Sequence, residues 1–256
     1  MRQFDHPVTL RRVDGRQLVI SAMSQTDVEA LASLYQKVWI RSDTYRRMLN
    51  SLEPHNFERS GGMFLIQDQE SLARLLEDPS EYVWVAREGG RFLGALWCGL
   101  RDAKYSDPSR IVAFPGCEEL PSRIRRGLNE KTLYFSKEIL IAPEARGLRL
   151  PEALLKNAMR FFHERGYRES CGEVYFVHAL RDEAGEHPVN LFNSASARML
   201  SRTGCRLEGA FPPCVVHADG FDAVVSMRIV HWDLYPSLEA SQKTLAAAGI
   251  IMENSK

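Results

Sequence analysis

The stretch IAPEARGLRLPEALL, Ile141 to Leu155, reads as the end of a strand, a tight basic turn and the first turns of an amphipathic helix. Arg146 and Gly147 stand in the turn, and Pro151 opens the helix, where a missing N–H costs no hydrogen bond. A helix mouth gathers unpaired backbone N–H groups and the positive end of the helix dipole, so it favours an anion, and a phosphate is the natural guest. An arginine and a glycine in a turn are not specific by themselves. The elements on either side decide the reading.

Before the turn, LYFSKEILI (133–141) has the composition of a strand. After it, Leu150, Ala153, Leu154, Ala158, Phe161 and Phe162 keep helical spacing through Arg165. GEVYFVHAL (172–180) reads as the next strand and RDEAGEHP (181–188) as a polar loop. A short helix, NSASARMLSRT (193–203), follows, with Asn193 as its cap and Gly204 as its terminator. Residues 205–230 supply two more strands about Ala218-Asp219-Gly220, and PSLEASQKTLAAAG (236–249) has a helical pattern.

Toward the N-terminus, EYVWVAREGGRFLGALWCGL (81–100) is the clearest hairpin, turning at Gly89-Gly90. DQESLARLLEDP (68–79) reads as a helix stopped by Pro79. Two β-rich runs flank Asp14-Gly15 in residues 8–23, a second hairpin. Between these lies a helix over 26–39, capped by Thr26 or Asp27, with Val28, Leu31, Leu34 and Val38 on one face. RSDTYRRMLNSL (41–52) has a helical option and EPHNFERSGG (53–62) looks like loop. Residues 101–131 interrupt the pattern with proline turns and a basic run, PSRIRR. This mixed order predicts an α/β (α+β mixed) fold around a partly antiparallel sheet.

Composition narrows the function classes. Lys+Arg and Asp+Glu are both 33, so the chain carries no net charge with His neutral and makes no global electrostatic case for nucleic acid or an anionic membrane. The first residues, MRQFDHPVTLRRVDG, lack the apolar core of a signal peptide. No run approaches the roughly 20 apolar residues of a membrane span. The five cysteines, Cys98, Cys117, Cys171, Cys205 and Cys214, are scattered and form no C-x-x-C pair, and the histidines show no ligand spacing. A cytoplasmic, reduced protein without a metal is expected.

Taken in order, four stretches resemble the GNAT N-acyltransferase superfamily. ILIAPEARGLRLPEALLKNAMRFFHERGY is similar to its acyl-CoA motif of strand, [Q/R]-x-x-G-x-[G/A] turn and helix. SLARLLEDPSEYVWVAREGGRFLGALWCG resembles the preceding helix and hairpin, NSASARMLSRTGCRLEG the N-x-x-A-x-x-x-Y-x-x-x-G-F signature, and GFDAVVSMRIV the last strand. The likeness covers about residues 19–230 of a single domain. An N-terminal hairpin, an insertion over about 101–131 and a helical tail over about 232–256 lie outside the pattern. The resemblance implies a twisted GNAT-like sheet in which two parallel strands splay apart. It implies acetyl-CoA as co-substrate, its pantetheine paired with the backbone of Ile139 and Ile141 and its pyrophosphate on the turn of Arg146, Gly147, Leu148, Arg149 and Leu150. Asn193 is implied as a further cofactor contact. Four positions depart from the family: Arg149 stands where glycine is usual, Pro151 where glycine or alanine is usual, and Leu200 where a tyrosine general acid is frequent. Cys205 also replaces the aromatic after Gly204.

Acyl transfer to an amine needs a group that takes the ammonium proton. Glu138, three residues before Ile141, stands where many relatives carry such an acid. Strand alternation would turn it outward toward Lys137, and a bulge would bring it inward. Tyr175, Glu173 and His178 on the next strand are the other candidates for that role, and the thiolate either leaves unaided or takes a proton from Ser201, Tyr134 or Tyr175. The expected activity is direct acetyl transfer from acetyl-CoA to a small-molecule or peptide amine. The alternatives are a longer acyl-CoA or an acyl carrier protein as donor, or a degenerate acyl-CoA-binding module. The acceptor pocket is expected from 40–62 and 101–131. The tail helix is expected either to cap that pocket or to join two subunits in a homodimer.

Overall fold

Twelve strands join into one sheet among residues 7–12, 14–41 and 62–254, which are those described by the computed structural model of the chain. The elements in chain order are β1 (Val8–Arg12), β2 (Gln17–Ala22), α1 (Val28–Val38), α2 (Gln69–Glu77), β3 (Glu81–Glu88), β4 (Arg91–Gly99) and β5 (Val112–Ala113). They continue with α3 (Leu120–Glu130), β6 (Leu133–Ile141), α4 (Leu150–His163), β7 (Glu169–Asp182), β8 (Gly185–Phe192) and α5 (Ser194–Ser201). The last are β9 (Arg206–Ala210), β10 (Cys214–Ala218), β11 (Phe221–Asp233), α6 (Leu234–Ala247) and β12 (Ile250–Asn254). Along the sheet the order is β12-β1-β2-β3-β4-β6-β7-β11-β9-β5, with β8 on β7 and β10 on β11. No described helix is long and apolar enough to cross a membrane.

All neighbours pair antiparallel except β6 and β7. A parallel pair needs a crossover, and α4 supplies it. Its stripe of Leu150, Ala153, Leu154, Ala158 and Phe162 is buried against the sheet, where Phe162 stacks on Tyr134 with ring centroids 3.9 Å apart. Burying one such side chain stabilises by roughly 1.5–3 kcal/mol.

The β6–β7 pairing lasts only from Leu133–Glu169 to Ser136–Gly172. At its end the two backbones come so close that a Cβ on Gly172 would meet the Ser136 carbonyl oxygen at 2.9 Å. Beyond that point β6 keeps only β4, while β7 runs on between β11 and β8. The strands therefore splay, leaving an unpaired edge on β6.

A bulge sits at the same place. Cys98 pairs with Ser136 but Trp97 pairs with Glu138, so Lys137 is an extra residue. The extra residue shifts the alternation by one and puts Glu138 in phase with Leu133 and Phe135 instead of Tyr134.

Several sequence expectations are corrected here. Residues 181–188 are not one loop: Arg181 and Asp182 end β7 and Gly185 opens β8, an edge strand that tolerates Pro188 because its N–H side needs no ladder partner. Residues 205–230 hold three strands, not two. The tail does not end as helix: β12 returns to pair with β1, and α6 packs on α4 away from the cleft. Of the two caps expected for α1, Asp27 stands at the N-cap position, but its carboxylate accepts from the Ser24 N–H across the tight turn Gln25–Asp27 and not from the helix. The basic run PSRIRR is helical, and its Arg123 turns inward. The segment 42–61, with its helical option, lies outside the described residues.

Candidate functional site

Two cavities open where β6 and β7 part, one of about 470 Å³ and one of about 340 Å³. They share Gly62, Met63, Ile139, Asn193 and Ser196, so they form one continuous cleft through the gap.

The larger arm runs along Ile139–Ile141 to the turn at the mouth of α4. Gly147 there has φ +82°, which only glycine adopts freely, and Arg149 has φ +56°. An arginine in that region is uncommon. Its guanidinium is held: Nη1 donates to Oε1 of Glu152 at 3.0 Å. Arg202, just after α5, donates to the same oxygen at 3.4 Å. Glu152 is 2 % exposed, while Arg146 and Arg198 complete a set of four arginines around this arm. Pro151 occupies the second helical position, not the first. Leu150 is buried in the core and Leu148 packs against it, and neither of these two lines the cleft.

The smaller arm holds the titratable groups. Glu138 faces it, together with Trp97, Lys104, Glu173 and Tyr175. The hydroxyl of Tyr35, on the buried face of α1, donates to Oε2 of Glu138. Burial raises the Glu138 pKa above the usual carboxylate range, and the Tyr35 hydrogen bond and the Lys104 and Lys137 charges pull it back in part. Glu173 is raised by burial too, against the opposing charge of Lys104, whose Nζ it accepts. The Glu173 and Asp102 carboxylates outweigh burial at Lys104 and hold it charged. Burial pushes Tyr175 up to about 12, so its hydroxyl keeps its proton at neutral pH. Lys137 does not pair with Glu138; it donates to Glu81 at 2.6 Å and lies over the Trp97 ring. The smaller arm therefore combines a carboxyl group whose pKa burial raises with a phenol that keeps its proton at neutral pH.

Asn193 serves twice. Its side chain accepts from the Ser196 N–H at 3.1 Å, capping α5, and the residue lines both arms. Of the other residues singled out, Tyr134 is buried on Phe162, His178 bonds Ser226 at 2.8 Å and Ser201 bonds the Arg198 carbonyl. None of these three lines the cleft. Leu200 is buried in the core. Sequence reading missed Tyr35, Lys104, Glu152, Arg198 and Arg202. The i, i+4 spacing of Arg198 on α5 and Arg202 at its C-cap was the available signal.

At the far end of β7 and β11, Glu169, His231 and Asp233 come within metal-ligating distance of one another. A guanidinium already fills their centre: Arg123 Nη2 lies 3.5 Å from Glu169, 3.3 Å from Asp233 and 3.0 Å from His231 Nδ1. Its Nη1 reaches Glu208 at 3.2 Å.

No protein-family model matches the chain, and no curated protein matches it by sequence. Solved structures do. Mycobacterium smegmatis RimJ in complex with CoA-disulfide superposes over 97 % of this chain and 97 % of its own, with TM-score 0.54 and 13 % identity. The ribosomal-protein-S18-alanine N-acetyltransferase of Escherichia coli covers 85 % of this chain and 94 % of its own, with TM-score 0.49 and 12 % identity. The GNAT domain of S. lividans PAT covers 89 % and 98 %, with TM-score 0.47 and 16 % identity. The mixed sheet, the single parallel pair that splays, the crossover helix and the RimJ superposition agree, and the chain has the GNAT N-acetyltransferase fold.

Proposed function

We propose that the chain is an acyltransferase that moves an acyl group, acetyl first, from a CoA thioester to an amine of a small molecule or peptide. The observation that carries this reading is the meeting of the two arms at the splay: one lined by arginines, the other holding Glu138 and Tyr175. The donor set fits a CoA ester. The unpaired edge of β6 at Ile139 and Ile141 offers backbone groups to amides of an extended chain, and Arg146, Gly147 and Arg149 offer cations and N–H groups to phosphates.

A thioester supplies an activated acyl carbon and a sulfur that leaves readily. Glu138 takes the proton that the acceptor ammonium must lose before its nitrogen has a lone pair. Its raised pKa brings its basicity closer to working pH. Tyr175 holds a proton that the departing sulfur can receive. Lys104 pairs with Glu173 beside them and offsets part of the cost of burying that carboxyl group.

The test is acetyl transfer from acetyl-CoA to a panel of amines and N-terminal peptides, read as released thiol, with longer acyl-CoA and acyl carrier donors alongside. Turnover is expected, and Glu138→Gln is expected to lower it by about 10²–10⁴-fold. A second reading, a binding module without turnover, draws on Leu200 in place of a tyrosine and on the buried carboxylate of Glu152 in the turn. CoA esters that bind without any transfer to the panel would favour it.

A further inference from the structure

We propose that Glu152 is a positioning residue that holds Arg149 and Arg202 as a two-guanidinium clamp for the diphosphate of the donor, an inference that rests on the acyl-CoA reading above. Glu152 stands at the third position of α4, 2 % exposed, and the two arginine side chains are 34 % and 46 % exposed. The carboxylate thus lies beneath and the guanidiniums lie toward the cleft. Both arginines use Nη1 on the same oxygen, Glu152 Oε1. A guanidinium has five N–H donors in one plane, so each keeps most of them for a partner in the cavity that both residues line.

The three groups arrive from different elements: Arg149 from the turn, Glu152 from the helix, and Arg202 from beyond α5 across the arm. Glu152 is the one acid among the described residues lining this arm, against four arginines, so the arm keeps an excess of positive charge for an anion. Fixing two long side chains before the ligand arrives reduces the ordering cost of binding. The left-handed backbone of Arg149 also gains a purpose, because it turns the side chain back toward Glu152.

Two opposed expectations separate this role from a bystander carboxylate. By charge alone, removing an acid from an anion site tightens binding. By positioning, it weakens binding, because the guanidiniums lose their anchor.

The experiment is calorimetric titration of CoA, and of inorganic pyrophosphate, into the full chain. The variants are Glu152→Gln, Glu152→Asp and the Arg149→Ala/Arg202→Ala pair with and without Glu152→Gln. A thermal melt of each checks the fold. Glu152→Gln is expected to weaken CoA binding about tenfold, the worth of one charge-assisted hydrogen bond. Glu152→Asp, which keeps the charge but withdraws it by one methylene, should also weaken it. In the background lacking both arginines, Glu152→Gln should change nothing further. KM for acetyl-CoA should rise while kcat at saturation holds. Unchanged or tighter binding by Glu152→Gln, or an equal loss without the arginines, overturns the clamp and leaves the acyl-CoA reading intact. A wild-type chain that binds neither CoA nor pyrophosphate overturns both.

Discussion

Replacing Tyr35 with phenylalanine removes one hydroxyl and keeps the ring, so it probes the proton chemistry with little change in packing. Tyr35 is 1 % exposed, and its hydroxyl donates to Glu138. Burial raises the Glu138 pKa above the ordinary 4.5, and the Tyr35 hydrogen bond is the largest influence lowering it again. A hydrogen bond to a charged group is worth about 1.5–3 kcal/mol. Each pH unit corresponds to about 1.36 kcal/mol, so losing the bond should raise the Glu138 pKa by about one to two pH units. The bond favours the carboxylate form, hence the upward sign. The carboxylate is also the form that accepts the ammonium proton, so the acid limb of the rate profile moves up with it. The assay is kcat/KM for the acceptor against pH, with circular dichroism on both proteins. An acid limb that stays in place, moves down, or gives way to a uniform loss at every pH would refute Glu138 as the base tuned by Tyr35.

Other substitutions test separate parts. Glu138→Gln should raise the melting temperature at neutral pH while abolishing most turnover. The native Glu138 binds its proton more tightly than the unfolded chain does, so wild-type stability falls as pH rises from 4.5 through the folded pKa, and melts across that window should show the gain shrinking on acidification. Tyr175→Phe should lower turnover by about 100-fold and leave the CoA Kd unchanged, as steady-state rates and calorimetry would show. Arg149→Gly relieves a left-handed backbone worth about 1–2 kcal/mol but frees the unfolded chain by about 0.4–1 kcal/mol. Its melt should stay within a few degrees while CoA binding weakens. Arg123→Ala takes one of two guanidiniums from the nearly buried Glu208, which keeps Arg206 at 2.8 Å, and removes the partner shared by Glu169 and Asp233. It should cost at most about 3–5 kcal/mol in denaturant unfolding, with KM for acetyl-CoA unchanged in the folded protein.

How far the site could be read from sequence depends on whether the deciding contacts are local. The α4 stripe, the Gly89-Gly90 hairpin, the Asn193 cap and the Gly204 terminator are short-range patterns, and each stands in the fold as the residues imply. Strand β8 was hidden because Pro188 and its charged neighbours argue against a strand unless it lies at an edge, and edges are a tertiary fact. The same holds for β12, whose five residues gain their meaning from pairing with β1 at the other end of the chain. The orientation of Glu138 turns on a single extra residue, Lys137, against β4, which no pattern within β6 reveals. Arg123, part of the basic run PSRIRR, turns inward because carboxylates from β7, β9 and β11 converge on it. Arg149 has a partner that sequence reading did not supply, Glu152, three residues away and brought within reach by the turn.

The central claim, that an acyl-CoA lies in the gap between β6 and β7 with its phosphates on the turn before α4, is tested most directly by backbone hydrogen exchange with and without acetyl-CoA. The account predicts saturable slowing at Ile139–Ile141 and at Gly147–Leu150, with the far strands β1, β2 and β12 unchanged. Exchange that is unaltered at both segments at saturating acetyl-CoA, or protection confined to another part of the sheet, would contradict it.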